Sequence, residues 1–441
     1  MGRGRIVRLA VISLGCPKNL VDTERALGEI LTEHVALVDD PAEADWVLIN
    51  TCGFISDAKE ESKDAIRQAA SLKQQNPSLK IAVAGCLSQR YGDRLRAELG
   101  GIDFLTGILT RENARRIARK LGAAPPCVAY GEDDDRQRLR LTPRHTAYLR
   151  IAEGCDNRCA YCAIPAIRGP LCSRPFERVL ADARELLSDG AVELNVIAQD
   201  TTAYGIDLYG KYRLAEHLYE LRRLNPRGWV RLLYAHPAHL ADDVIDALGS
   251  GFPFVPYIDL PLQHVNDRVL SAMGRKVTHA GIESLIGRIR ARVPGAYIRT
   301  AFIVGYPSET KAEFEELLDF VAHTRFERLG AFSYSREEGT RAGASENQVS
   351  RREKERRLDV IMKTQAEIAF AFNQSLVGRG VPGIIDGPSG RDDFPLAGRT
   401  YGDAPEVDGT VFIRGTATAG DIVTLEITGV EGYDLLAGVS Q

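Results

Sequence analysis

Three things are missing from this chain of 441 residues. No apolar run approaches the roughly 20 residues that a membrane-crossing helix requires, so the sequence offers no transmembrane helix. Neither sign of charge prevails: the net charge is -4, which carries no global signature of nucleic-acid binding. Cysteine is sparse, with eight in all. Their clustering in loops suits a reducing compartment and metal ligation better than a framework of disulfides. The first residues, Arg3 to Cys16, imitate a lipoprotein leader, but the apolar run is too short for a secretory segment and Ser13 stands where such a leader wants leucine. Ile6–Leu14 therefore reads as a first buried strand, and a cytoplasmic protein is expected.

What is present is the composition of a soluble globular protein, 44% hydrophobic and 26% charged, in a chain long enough for two or three domains. Its most informative feature is the spacing Cys-x-x-x-Cys-x-x-Cys formed by Cys155, Cys159 and Cys162. These follow the strand-like run Ala147-Tyr148-Leu149-Arg150-Ile151. Three thiolates in one short loop leave a four-ligand shell incomplete, and an iron–sulfur cluster held this way keeps one iron open for chemistry. The competing reading is a zinc loop, for which His145 is the only nearby fourth ligand.

A second set of cysteines lies at the ends of apolar runs: Cys16 after Leu9–Gly15, Cys52 after Trp46–Thr51, Cys86 after Ile81–Gly85. Helical patterns follow each (Leu20 to Leu31, Ala58 to Leu72, Leu87 to Leu99). The alternation predicts a small α/β parallel-sheet N-terminal domain, and ligands of such sheets gather at the carboxyl ends of the strands. One cysteine so placed would read as a small core residue; three at equivalent positions predict a second three-thiolate cluster. Cys127 and Cys172 lie outside ligand spacing and read as structural thiols.

The charged segment Gly131–Arg138 has no periodicity and reads as a linker. Beyond it, Val192–Ala198, Val230–Tyr234, Phe254–Leu260, Ile298–Val304 and Ala331–Tyr334 are candidate strands of an open or partial (β/α) barrel, whose active site would lie at the strand ends. A last helix begins at Ser350 with Glu353 in capping-box register. After Leu376, short alternating segments rich in Gly and Pro predict a C-terminal antiparallel β-barrel. Acidic residues dominate there: Asp386, Asp392, Asp393, Asp403, Glu406, Asp408, Asp421, Glu426, Glu431 and Asp434 stand against Arg391, Arg399 and Arg414. Such a surface repels phosphate and attracts a basic protein. The expected division is residues 1–130, a linker at 131–146, then 147–375 and 376–441.

The cysteine triplet, with Tyr161 before its last member, resembles the signature of radical S-adenosylmethionine enzymes. Over essentially its full length the chain resembles the methylthiotransferases, which join a three-cysteine domain, a radical S-adenosylmethionine barrel and a TRAM domain. Ser13-Leu14-Gly15-Cys16-Pro17-Lys18-Asn19, Ala198-Gln199-Asp200-Thr201, Leu260-Pro261-Leu262-Gln263-His264 and Tyr334-Ser335-Arg336-Glu337-Glu338-Gly339-Thr340 resemble the RimO-type branch. That branch modifies the β-carbon of an aspartate in the twelfth small-subunit ribosomal protein, a basic protein near the decoding centre. The alternatives are the MiaB-like branch, acting on isopentenyladenosine of transfer RNA, and a non-catalytic iron–sulfur carrier.

The resemblance implies two 4Fe-4S clusters, one on Cys155, Cys159 and Cys162 that binds S-adenosyl-L-methionine, one on Cys16, Cys52 and Cys86 that carries the donated sulfur. It implies cofactor contacts from Tyr161, Gln199, Gln263, Gly305 and Glu309, a reducing electron donor, docking of the ribosomal protein on the acidic TRAM domain, and a monomer. His264 reads equally as a general base or as a satisfied structural histidine. Two departures stand out: Ser308 in Tyr306-Pro307-Ser308-Glu309, where glycine is usual in a tight turn, and His236 in Tyr234-Ala235-His236-Pro237, where tyrosine is frequent.

Overall fold

The computed structural model describes residues 6–123, 131 and 134–440; Cys127 lies outside them. The first layer is a five-stranded parallel sheet of β1 (Val7–Ser13), β2 (Val35–Leu37), β3 (Trp46–Thr51), β4 (Lys80–Gly85) and β5 (Phe104–Leu105), in the order β2-β1-β3-β4-β5. Runs such as Val47-Leu48-Ile49 are buried on both faces, as helix-covered parallel strands must be. The helices between them are Pro17–Ile30, Ser56–Leu72, Cys86–Tyr91, Asp93–Leu99 and Arg111–Lys120. The helical pattern expected over Leu87 to Leu99 is interrupted at Gly92 and forms two short helices.

The second layer holds β6 (Thr146–Arg150), a two-stranded ribbon of β7 (Ala152–Glu153) and β8 (Cys172–Ser173), and then β9 (Glu193–Ile197), β10 (Trp229–Leu232), β11 (Phe254–Asp259), β12 (Tyr297–Val304) and β13 (Arg328–Ser333). Six of these form a parallel sheet in the order β13-β12-β11-β10-β9-β6 that does not close on itself, a partial barrel. Thr310 and Glu313 make a complete capping box on the helix Lys311–Thr324. At the helix Arg351–Gln374 only half of that device forms. Ser350 Oγ accepts from the Glu353 amide at 3.3 Å, while the Glu353 carboxylate turns to Arg356 and Arg357 at 2.7 and 2.8 Å.

The chain ends in a closed barrel of β14 (Gly380–Pro388), β15 (Leu396–Thr400), β16 (Val411–Arg414), β17 (Ile422–Glu431) and β18 (Asp434–Val439). Its pairings are antiparallel save β16 with β18, which run parallel. One buried apolar cluster draws on all three units: Val21 from the first, Tyr148, Ile197, Trp229, Tyr257 and Tyr297 from the second, Ile384 and Ala404 from the last. The terminal barrel thus plugs the inner face of the open sheet.

Polar contacts fasten the same seam. Arg328 pairs with Asp403 at 2.6 Å, Arg399 with Glu193 at 2.9 Å, and His145 with Asp386 at 2.9 Å. The Tyr257 hydroxyl donates to Asp408 at 2.6 Å. Asp386, Asp403 and Asp408, counted in the sequence as acidic surface, therefore serve an internal joint. Asp392, Glu406, Asp421 and Glu426 stay exposed. The connecting segment is also more than a tether, since Asp134 and Asp135 are buried in it.

Candidate active site

The two cysteine groups sit at the carboxyl ends of the two parallel sheets. Cys16 caps the helix Pro17–Ile30 three residues after β1, Cys52 directly follows β3, and Cys86 directly follows β4. β1, β3 and β4 are neighbours in the sheet, so parallel order brings the three thiols to one edge. Local devices lock them there. Gly15 takes φ +92°, and a Cβ on it would lie 2.8 Å from the Cβ of Cys52, so the first loop lies directly against the second. Asn19 donates to the carbonyls of Leu14 at 2.6 Å and Thr51 at 3.3 Å. The amide of Cys52 donates to Ser62 at 2.9 Å, and the Ser62 hydroxyl returns a bond to the Cys52 carbonyl at 3.0 Å.

Cys155, Cys159 and Cys162 occupy the loop that follows β6 and β7, all half-buried. The Cys155 amide donates to Gly169 O at 3.2 Å, and that of Ala160 to Met273 O at 2.7 Å. Asn157 donates to Asp200 at 2.7 Å, tying the loop to the end of β9. Asp200 is held in turn by His239 at 2.8 Å and Thr202 at 2.6 Å.

Burial governs the thiols. It pushes Cys86 and Cys155 up to about 11 and Cys162 up to about 12, so ligation of a metal must displace their protons. Each group also has a buried guanidinium that the sequence did not single out. Arg275 Nη1 lies 4.0 Å from Cys159 Sγ, and Arg168 hydrogen-bonds the Cys86 thiol. Cations so placed offset the charge of bound thiolates.

Among the described residues, the only group of three or more His, Cys, Asp or Glu side chains whose ligand atoms all lie within 4.8 Å of one another is Asp200, His236 and His239. Neither thiol trio is drawn tight enough to chelate a single ion, for which tetrahedral zinc would need sulfurs about 3.8 Å apart. His145, the fourth ligand of the zinc reading, faces Asp386 of the terminal barrel instead. Open trios of soft sulfur donors fit a multi-iron cluster with one iron left free.

Around the second trio, Tyr161 hydrogen-bonds Cys159. Gln199 donates its amide to Glu153, and its buried Oε1 has no hydrogen-bond partner among the described residues. Gln263 has φ +73°, and its backbone bridges β12 through Ala301 and Ile303. Gly305 and Glu309 are drawn against the last long helix. The Lys354 side chain lies over Gly305; Glu309 pairs with Arg357 at 2.7 Å and accepts the Tyr306 amide at 2.9 Å. Ser308 adopts φ +65° where glycine was expected. Arg268 steadies that turn, donating to the Ser308 carbonyl at 2.8 Å. His264 is fully buried, and burial lowers it to about 3. Its Nδ1 accepts the Asn266 amide at 3.0 Å, and its buried Nε2 has no hydrogen-bond partner among the described residues. Cys172 is exposed on β8, outside both trios.

Comparison with known proteins places these features. Residues 8–107 match the Uncharacterized protein family UPF0004, residues 149–321 the Radical SAM superfamily, and residues 377–439 the TRAM domain. The chain is 43% identical over 439 residues to the ribosomal protein uS12 methylthiotransferase RimO of Geotalea uraniireducens, covering 98% of each chain. It is 44% identical to the protein of that name from Anaeromyxobacter sp. (strain K), over 98% of this chain and 93% of the relative. With that of Geobacter sulfurreducens the figure is 42%, over 98% of both. Among solved structures, the radical S-adenosylmethionine methyltransferase TsrM of Kitasatospora setae shares the fold, with a TM-score of 0.56 at 15% identity over 77% of each chain.

Proposed function

Since this chain belongs to the family of RimO ribosomal protein uS12 methylthiotransferases, we propose that its two thiol edges form a single reaction chamber that methylthiolates an aspartate of uS12 at the β-carbon. The enzyme is a radical S-adenosylmethionine transferase with two 4Fe-4S clusters. The observation that carries the reading is the pair of open thiol trios at the carboxyl ends of two parallel sheets, on units that Lys18 of the first and Tyr234 of the second join by direct contact.

Cys155, Cys159 and Cys162 would hold the cluster that binds S-adenosylmethionine, and Cys16, Cys52 and Cys86 the cluster that holds the sulfur to be donated. When bound, these groups supply a radical strong enough to take an unactivated hydrogen and a sulfur to replace it, which acid–base side chains cannot do. The protein's part is positioning. Asp200 and Asn157 fix the loop of the second trio. Glu153 orients Gln199, whose free oxygen would accept from the cofactor's polar groups, and Tyr161 and Arg275 line Cys159. Gln263 offers a second amide at a strand end. Gly305 and Glu309 shape the turn after β12 as positioning residues.

The exposed carboxylates Asp392, Glu406, Asp421 and Glu426 support docking of a basic ribosomal protein by the terminal barrel. The family relationship favours uS12 over transfer RNA, and an enzyme over an iron–sulfur carrier. The test is intact-mass analysis of small-subunit ribosomal proteins after anaerobic incubation with reconstituted enzyme, reductant, sulfide and S-adenosylmethionine. A methylthio increment on one aspartate of uS12 is expected. Formation of 5′-deoxyadenosine with no increment on uS12 would overturn the substrate.

A further inference from the structure

The segment that follows β13 grips both thiol-bearing units. Glu337, just beyond that strand, is 2% exposed. Its Oε2 receives Lys59 Nζ at 2.8 Å and Arg90 Nη1 at 2.6 Å, and its Oε1 accepts the Ser335 hydroxyl at 2.6 Å. Both cations come from the N-terminal unit. Lys59 stands on the helix Ser56–Leu72, which begins shortly after Cys52. Arg90 stands on the helix Cys86–Tyr91, whose first residue belongs to the first trio. Arg90 also donates to the Gly53 carbonyl at 3.0 Å, beside Cys52, and to the Glu338 carbonyl at 2.7 Å.

The far end of the same segment holds the second trio. The Ala342 amide donates to the Ala160 carbonyl at 2.9 Å, between Cys159 and Cys162. Arg341 Nη2 donates to the Arg158 carbonyl at 2.7 Å. Between the two grips the chain is stiff. Thr340 Oγ1 donates to the Glu337 carbonyl at 2.7 Å and accepts the Gly343 amide at 3.0 Å. A Cβ on Gly343 would lie 2.1 Å from that carbonyl oxygen, so the turn closes on itself. Two cations of one unit thus share a carboxylate nearly shut off from water, where solvent and salt screen the attraction little.

We propose that Glu337 is a positioning residue for methylthiolation: through it, the strap of residues 335–342 sets the spacing between the two thiol edges. The assignment rests on the shared-chamber reading above. Cleavage of S-adenosylmethionine needs the second trio alone, whereas methylthiolation needs both edges in register. A misplacement of about 1 Å is enough to cost such a reaction about a hundredfold.

The test uses full-length enzyme loaded with both clusters, as wild type, Glu337→Gln, Arg90→Gln and the double variant, with iron content measured in each. Glu337→Gln keeps the shape of the side chain and removes the charge that Lys59 and Arg90 face. It should retain its iron and form 5′-deoxyadenosine at the wild-type rate, while methylthiolated uS12 per 5′-deoxyadenosine falls at least about tenfold. Electron paramagnetic resonance of the reduced enzyme reads the spacing without substrate. Two paramagnetic clusters broaden each other's signals with a strength that falls as the cube of their separation, so the interaction seen in wild type should weaken in the variant. Because Arg90 and Glu337 act through one contact, the double variant should lose no more than the more impaired single variant. An unchanged product ratio or an unchanged magnetic interaction in Glu337→Gln overturns the assignment, as do loss of iron and losses that multiply in the double variant. A wild type without magnetic interaction overturns the shared chamber, and the assignment with it. A wild type with interacting clusters that leaves uS12 unmodified overturns the substrate reading alone, and the resonance result then decides the role of Glu337.

Discussion

Arg150 on the first strand of the open sheet donates to Asp22 on the first helix of the N-terminal layer at 2.7 Å, and both side chains are almost wholly buried. The same carboxylate meets Arg168 at 3.0 Å. Arg150 also reaches Asp135 of the connecting segment at 2.6 Å, and Asp135 meets Arg174 at 3.2 Å. Burial opposes ionisation of Asp135, but Arg150, Arg174 and Arg25 overcome it and hold its carboxyl well below the usual range. One ionic lattice thus fixes the sheet bearing one thiol trio to the sheet bearing the other.

Asp22→Asn should loosen that joint. It removes one charge from a buried lattice and leaves three guanidiniums, Arg150, Arg168 and Arg25, undercompensated, a change that costs about 3 kcal/mol, since Asp135 and Glu153 still face Arg150. Chemical unfolding of the cluster-loaded enzyme measures the loss.

Gly85→Ala should damage one thiol trio alone. Gly85 has φ +102°, and a Cβ there would lie 2.5 Å from the Thr51 carbonyl oxygen and 2.6 Å from its nitrogen, both backbone atoms of the neighbouring strand. The strain and overlap cost about 3 kcal/mol or more and displace Cys86. Iron per chain should fall by roughly half, a [4Fe–4S] cluster holding about four irons. Full iron with unchanged stability would contradict the packing argument.

Serine substitution should separate the two trios by function. With Cys155, Cys159 and Cys162 replaced together, S-adenosylmethionine should no longer be cleaved. With Cys16, Cys52 and Cys86 replaced, cleavage should survive and methylthiolation cease. Detection of 5′-deoxyadenosine from the first variant, or of methylthiolated uS12 from the second, would reverse the assigned roles.

Acid should destabilise the fold through buried histidines. Burial holds His217, His236 and His264 near 3, against about 6.5 in an unfolded chain. The unfolded state therefore binds the extra protons between these values. Their contribution is fully present above about pH 6.5 and is lost as the pH falls towards 3, by about 1.4 kcal/mol per pH unit for each. His217 is the cleanest probe. It stacks on Phe176 at 4.1 Å, and neither ring nitrogen has a hydrogen-bond partner. His217→Phe should lower the slope of stability against pH by one proton between pH 6.5 and 4, read from urea midpoints at several pH values.

The sequence by itself determined the chemistry and the parts list. Cys155, Cys159 and Cys162 are legible because three ligands within eight residues share one loop whatever surrounds it. Cys16, Cys52 and Cys86 are legible because each ends an apolar run, and parallel strands put such ends on one edge. The alternation of strands and helices, the terminal barrel and the last helix follow from equally local patterns. Only the tertiary structure decided what lies between them. Arg168 and Arg275 have no spacing signal that ties them to Cys86 and Cys159. Asp134 and Asp135 read as solvent-loving linker, yet both are buried, Asp135 against the buried Arg150 and Arg174 and Asp134 against the partly exposed Arg136 and Arg178, and Asp386, Asp403 and Asp408 turn from surface charge into a joint. The contact of Lys18 with the Tyr234 ring is visible only once the first unit packs on the open sheet. Periodicity and spacing report forces that act within a few residues. Which charge meets which across the fold depends on long-range packing, because burial makes an ion costly until a partner from elsewhere in the chain arrives.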